Sequence, residues 1–255
     1  MTDPNASRAA AEAARETEWA APSFVRELFA GRMRLDLVDP FPTPTSEEIA
    51  RAEPFFDRLS ELLATVDSDR IDREGKLPEE LIQRLRQIGA LGIKIPVEYG
   101  GLGLSQLMYT RAIGMVTSQD GSLTALLSAS QSIGVAVPLM LFGTEEQKRR
   151  YLPRLAGGEI SAFALTETGV GSDPAGLSTY AVRSTDGSHY VLNGEKLWCT
   201  NGPIAGVMVV MARTGKRISA FIVERDFPGV EVMHRLEFMG LKAIENGVIR
   251  FTDVR

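Results

Sequence analysis

The stretch Gly157–Asp173, GGEISAFALTETGVGSD, divides the chain. Before it, apolar residues recur at helical spacing; after it, short runs of β-branched and aromatic residues alternate with turn residues. The stretch itself passes from an apolar strand, Ile160–Leu165, into a loop carrying Gly169, Gly171 and Ser172. Glycine reaches left-handed conformations that turn successive N–H groups inward, so the loop is a candidate anion cradle. A second stretch, Lys196–Gly202, KLWCTNG, belongs with it. In an extended chain Trp198 and Thr200 share one face, while Cys199 and Asn201 point the other way. A flat aromatic beside a hydroxyl suits the edge of a planar heterocycle. Together the two stretches predict a dinucleotide site, with phosphates at one end and a flavin-like ring at the other.

Working outward, the C-terminal side reads as strands at Ile160–Leu165, Leu177–Arg183, His189–Leu192, Lys196–Asn201, Val207–Ala212, Ile218–Glu224, Val230–Met233 and Val248–Thr252. Asp186–Gly187 and Asn193–Gly194 have the composition of hairpin turns. Strands at this spacing without intervening helices predict an antiparallel barrel or sandwich. The absence of GxGxxG removes the usual dinucleotide-binding fold.

The N-terminal side is helical. DPFPTP at Asp39–Pro44 cannot continue a helix and reads as a linker. Thr45 with Glu48 has the form of a capping box, followed by a stripe of Ile49, Ala52, Phe56, Leu59, Leu62 and Leu63, in which Pro54 predicts a kink or a later start. A helix begins near Pro78 with Leu81, Leu85 and Ile88, and Gly89 and Gly92 end it. Ile93–Tyr99 reads as extended. Helices follow from about Ser105 to Thr117, across Leu123–Phe142, and from Thr144, with Gln147 completing a second capping box. The last of these, EEQKRRYLPRL, reads as a solvated charged face. Leu123–Phe142 is interrupted by Ser128, Ser130, Gln131, Ser132 and Pro138, which suits a buried helix of a helical domain better than a membrane span. The fold class is therefore α+β: residues 1–44 as an N-terminal extension and linker, 45–159 as an all-helical domain, and 160–255 as a β-domain.

Composition narrows the function. The 255 residues carry 28 basic and 33 acidic side chains, a net charge of −5, which argues against a nucleic-acid partner. One cysteine, Cys199, and two histidines, His189 and His234, provide neither a disulfide nor a zinc cluster. Met1–Ala21 is rich in Ala and Arg, but Asp3, Glu12, Glu16 and Glu18 are unlike an organelle transit peptide, and a cytoplasmic location with a loose N-terminal tail is expected. GVGSD is not a GxSxG nucleophile elbow, which disfavours a serine hydrolase. Cys199, on the face opposite Trp198, reads as a small buried hydrophobe.

Taken together, the segments resemble the acyl-CoA dehydrogenase family of flavoproteins. The resemblance rests on ALTETGVGSDPAG at Ala164–Gly176 and LNGEKLWCTNG at Leu192–Gly202. It is supported in order by IPVEYGGLG at Ile95–Gly103, QSIG at Gln131–Gly134, LFGTEEQKRRYLPRL at Leu141–Leu155 and AFIVER at Ala220–Arg225. It covers nearly all of the chain from about residue 45. Ser23–Pro44, with SFVRELFAG and FPTP, looks most like the very-long-chain branch. Thr168 stands where family members often have proline, and Cys199 where they often have Ile or Ser.

The resemblance implies α,β-dehydrogenation of acyl-CoA thioesters in fatty-acid β-oxidation, with FAD as cofactor. Phe163, Ala164, Leu165, Thr166, Gly171 and Ser172 would line the FAD, Thr166 at the ring and Gly171 and Ser172 at the pyrophosphate. Trp198 would pack on the flavin with Thr200 at N5, and Cys199 lies between them in the same segment. Ser172 would also approach the acyl-CoA, whose tail would enter near Ser128, Ala129 and Gln131. The small residues there permit a deep pocket for long tails, or equally make tight helix contacts. The family's catalytic glutamate sits on a C-terminal four-helix domain, expected beyond Arg255; Glu167 would be structural, and no catalytic acid or base is assigned within 1–255. The family further implies an electron-transfer flavoprotein or similar acceptor, and a homodimer or tetramer. Two rival expectations share the scaffold: a flavin oxidase or monooxygenase, and a non-catalytic partner subunit or acyl-CoA-binding module.

Overall fold

The computed structural model describes residues 22–255; the expectation for Met1–Ala21 lies outside them. Strand-forming sequence follows helix-forming sequence as anticipated, and the fold is helical first and β second. A short helix, α1 (Phe24–Phe29), buries no residue. Helix α2 (Ser46–Leu63) starts on Thr45, whose hydroxyl accepts from the Glu48 N–H. The capping box is only half formed there: the Glu48 carboxylate accepts instead from the Ser105 N–H at 2.7 Å. Pro54 lies inside α2 without ending it. Helix α3 (Ser68–Glu74) has no counterpart among the expected elements, although Asp67 caps its start and Gly75 closes it at φ +60°. Helix α4 (Glu79–Gln87) follows Pro78, as expected.

Ile93–Tyr99 is not extended. It turns tightly and ends in a 3₁₀ turn over Val97–Tyr99, because the Ile93 N–H goes to the Gln131 side chain rather than to a strand. Helices α5 (Gln106–Gln119) and α6 (Gly121–Ser128) lead into a π-helical turn at Ala129–Ile133, then α7 (Ala136–Phe142) and α8 (Glu145–Ala156). The capping box of Thr144 and Gln147 is complete. Among the described residues, Gly121–Phe142 is the one stretch long and apolar enough to cross a membrane; half of it is buried inside the protein, and its helix is interrupted at Gly134.

Seven strands form one sheet in the order β1 (Ser161–Ala164), β4 (Val207–Thr214), β2 (Tyr180–Arg183), β3 (Tyr190–Thr200), β7 (Asn246–Val254), β6 (Val230–Arg235), with β5 (Arg217–Glu224) on the other side of β4. Four pairings are antiparallel, but β1–β4 and β2–β4 are parallel, so the sheet is mixed. A tight turn dictates direction only between strands it joins, and no such turn links β1 or β2 to β4. Asp186–Gly187 makes the β2–β3 turn, with Gly187 at φ +73°. Asn193–Gly194 is not a turn: it lies within β3, where the register against β7 shifts.

One apolar core fills the helical part and another the sheet. A third joins them, packing Leu139, Tyr151, Leu152 and Leu155 against Val207 and Val209.

Candidate flavin-site wall

After β1 the chain closes a small turn in which Glu167 and Val170 exchange both backbone hydrogen bonds. Neither Gly169 nor Gly171 has positive φ, so the left-handed cradle expected there is not formed. The reciprocal Glu167–Val170 bonds make the turn without it. What the two glycines contribute is clearance, since a Cβ added at either meets nothing within 4 Å. Ser172 is exposed at the loop's tip, and Asp173 caps a following 3₁₀ turn at Pro174–Gly176.

This loop is fastened to the middle of β3. The Leu197 N–H donates to Thr166 O at 2.8 Å, Lys196 Nζ to Leu165 O at 3.0 Å, and Cys199 Sγ approaches Phe163 O at 3.6 Å. The two stretches first paired by sequence are thereby joined in space. Lys196 is fully buried and forms an ion pair with Glu167 at 2.8 Å. Burial alone would raise the Glu167 pKa, but donors from Lys196, Ser178 and Thr179 outweigh it and hold the carboxyl down at about 2. So held, Glu167 is a brace and a poor proton acceptor.

A bulge between Lys196 and Cys199 sets the next residues. Trp198 takes φ +54°, rare for a bulky side chain, and stays 59% exposed. Cys199 is 1% exposed in the sheet core, where burial pushes its thiol up to about 12 and makes it inert. Thr200 is half-buried, so Trp198 and Thr200 share the open side, as alternation predicted. Asn201 (φ +65°) is buried, its amide donating to Leu126 O at 3.0 Å and Ser161 O at 3.3 Å. The end of α6 is thus tied beside Thr200.

Phe163, Leu165 and Thr166 are half-buried along this wall, and Ala164 is fully buried beneath it. Ser128 is half-buried. Ala129 and Gln131 are buried, Gln131 accepting from Ile93 N–H and donating to Ala90 O. Ser161 donates twice to Ser130 where the helices meet β1, its N–H to the Ser130 hydroxyl at 3.1 Å and its own hydroxyl to the Ser130 carbonyl at 2.9 Å. The small residues of this turn therefore make a close helix–sheet junction. Sequence reasoning missed Asn246, whose amide donates to Thr200 Oγ1 at 2.9 Å, and the bracing role of Lys196. A lysine amid apolar strand residues was the available signal for the latter; Asn246 carried none.

The wall offers an uncovered aromatic, a half-open hydroxyl two residues on and an open glycine loop, all tied to the buried Lys196–Glu167 pair and its hydrogen bonds. Residues 48–159 match the acyl-CoA dehydrogenase N-terminal domain and residues 162–254 the acyl-CoA dehydrogenase middle domain. The chain belongs to the acyl-CoA dehydrogenase family and spans these two domains. It is 54% identical over 254 residues to the probable acyl-CoA dehydrogenase FadE10 of Mycobacterium tuberculosis, covering 97% of this chain and 39% of that protein. It is 37% identical over 252 residues to the human mitochondrial very long-chain specific acyl-CoA dehydrogenase, covering 91% of this chain and 37% of the relative. The structure of an acyl-CoA dehydrogenase complexed with FAD from Bacillus anthracis superposes with a TM-score of 0.70 at 35% identity, over 85% of this chain and 38% of that one. The chain thus spans about two-fifths of the length of these relatives.

Proposed function

We propose that this chain supplies the helical and middle-domain walls of an FAD-dependent acyl-CoA dehydrogenase acting on long or very long acyl chains in fatty-acid oxidation. The observation that carries this reading is the fastening of the Thr166 loop to the Trp198 bulge through Leu197. It ties the segment that carries the uncovered indole and the half-open Thr200 to the loop whose glycines leave open space. These groups suit FAD: Trp198 to cover the ring, Thr166 and Thr200 to hydrogen-bond its edge, Gly171 and Ser172 to receive the pyrophosphate. Phe163, Ala164 and Leu165 form the strand behind them. FAD, when bound, supplies the redox chemistry, and the protein supplies position.

The chain's own part is to orient and to exclude water. Among the described residues Glu167, the buried carboxylate of this wall, is locked in its ion pair, so it braces the site and is not assigned as the proton acceptor. Ser172 and the Ser128–Gln131 turn are the candidate contacts for acyl-CoA. An electron-transfer flavoprotein as acceptor, a homo-oligomer and a cytoplasmic setting complete the proposal. The name of the very long-chain relative supports the chain-length preference.

The test is FAD binding to the full-length protein. Trp198→Ala should weaken it about tenfold or more, the loss of one stacked aromatic surface, with the fold intact by circular dichroism. Unchanged affinity overturns the assignment. Flavin bleaching by palmitoyl-CoA in preference to butyryl-CoA tests chain length, and hydrogen peroxide in place of reduced acceptor would favour an oxidase.

A further inference from the structure

Asn246 faces Thr200 across the β3–β7 ladder. Its amide nitrogen donates to Thr200 Oγ1 at 2.9 Å and, at 3.4 Å, to the carbonyl of Trp198. The residue is only 4% exposed, and its Oδ1 is buried with no hydrogen-bond partner among the described residues. Turning the amide over would set Oδ1 against the Trp198 carbonyl, acceptor to acceptor. That carbonyl therefore determines which end of Asn246 meets the threonine.

A threonine hydroxyl has one proton and two lone pairs. One lone pair is occupied by Asn246. No acceptor for the proton lies among the described residues, and Thr200 is half open beside the exposed Trp198. We infer that Asn246 is a positioning residue: by donating to Thr200 Oγ1, it makes the threonine present its O–H, rather than a lone pair, to a ring-edge acceptor lying on Trp198. The inference rests on the flavin reading of this wall. A donor held at the ring edge stabilises negative charge that arrives there on reduction, so Asn246 would tune the bound flavin without touching it.

The experiment uses the full-length FAD-loaded enzyme with Asn246→Asp, Asn246→Ala, Thr200→Val and the double variant Asn246→Asp/Thr200→Val. FAD dissociation constants and flavin midpoint potentials are read by absorbance titration, and circular dichroism reports folding. Asn246→Asp, whose carboxylate draws the hydroxyl proton inward, should move the midpoint to more negative potential and weaken FAD about fivefold, the worth of one hydrogen bond. Thr200→Val should do the same, and the double variant should be no worse than Thr200→Val. Asn246→Ala, which leaves the hydroxyl free to rotate, should shift both readouts in the same direction by less, and carries the test if the aspartate variant does not fold. Wild-type potential and affinity in the Asn246 variants, with Thr200→Val shifted, overturn the inference and leave the flavin site standing. Additive losses in the double variant also overturn it. An unshifted Thr200→Val, or no FAD bound by the wild type, overturns both readings.

Discussion

Lys196 illustrates how one residue commits its surroundings. Its ammonium is fully buried, with Glu167 Oε1 and Leu165 O as its partners, and Glu167 is in turn held by Ser178 and Thr179. Removing one member of such a pair strands the other charge in an apolar interior, which costs about 3–5 kcal/mol. Lys196→Met should therefore lower stability by about that amount in equilibrium urea unfolding. Adding Glu167→Gln to it should restore much of the loss, because a neutral, well-packed pair can replace a buried ion pair with little penalty. At this scale the sequence was legible where chemistry is local. Alternation alone placed Trp198 and Thr200 on the open side and Cys199 inside. The left-handed turn at Trp198 and the Thr200–Asn246 contact depend on a bulge and on strand pairing, and neither leaves a mark in neighbouring residues. The glycines of the 169–171 loop misled in the other direction, since glycine permits positive φ without requiring it.

Among the elements, β3 departs most from its local signals. Asn193–Gly194 has hairpin chemistry, yet the strand continues through it. Asn193 instead exchanges hydrogen bonds with Asp253 on β7, and Gly194, at φ +145°, lies over Thr179. A Cβ there would stand 2.5 Å from Thr179 Oγ1 and 2.7 Å from its Cα. Gly194→Ala should cost about 1–3 kcal/mol through strain and overpacking, measurable as a lowered unfolding midpoint with an unchanged m-value. Tertiary pairing thus overrode the turn signal. Helix starts were easier to read because their signals are contained within a turn: Thr45, Pro78 and Thr144 all open helices where expected. Helix α3 escaped because seven residues with only Ile71 buried present no stripe. Strand direction escaped because β1 and β4 meet far apart in the chain.

Across the whole molecule, a charged cluster joins the helices to the sheet. Glu224, at the end of β5, accepts from Arg150 at 2.6 Å, Arg154 at 2.8 Å and Tyr151 at 3.1 Å, all on α8. Arg154 also holds Glu159. The helix read as a solvated face therefore carries a specific contact: its charges were visible in sequence, but their partner lies on a distant strand. Burial pushes the Glu224 pKa up, but Arg154, Tyr151 and Arg150 together bring it below the ordinary glutamate value of 4.5. A carboxylate whose pKa is depressed by folding adds stability above its unfolded pKa and loses it as the pH falls through the folded value. Glu224→Gln should thus cost about 1.5–3 kcal/mol at pH 7, the range for hydrogen bonds to charged groups. Thermal unfolding followed from pH 7 down should show the gap between variant and wild type narrowing below about pH 4.5.

The same cluster bears on recombination. The two matched domains meet between residues 159 and 162, an inviting point at which to splice relatives. Yet Arg150 and Arg154 lie before that seam and Glu224 after it, as do Ser130 before and Ser161 close to it, and Asn201 reaches back to α6. Hybrids crossed there inherit half of each contact from either parent. Those whose parents agree at these six positions should assemble, whereas the others would join two compatible-looking halves around an unmatched charge or an unpaired buried polar group.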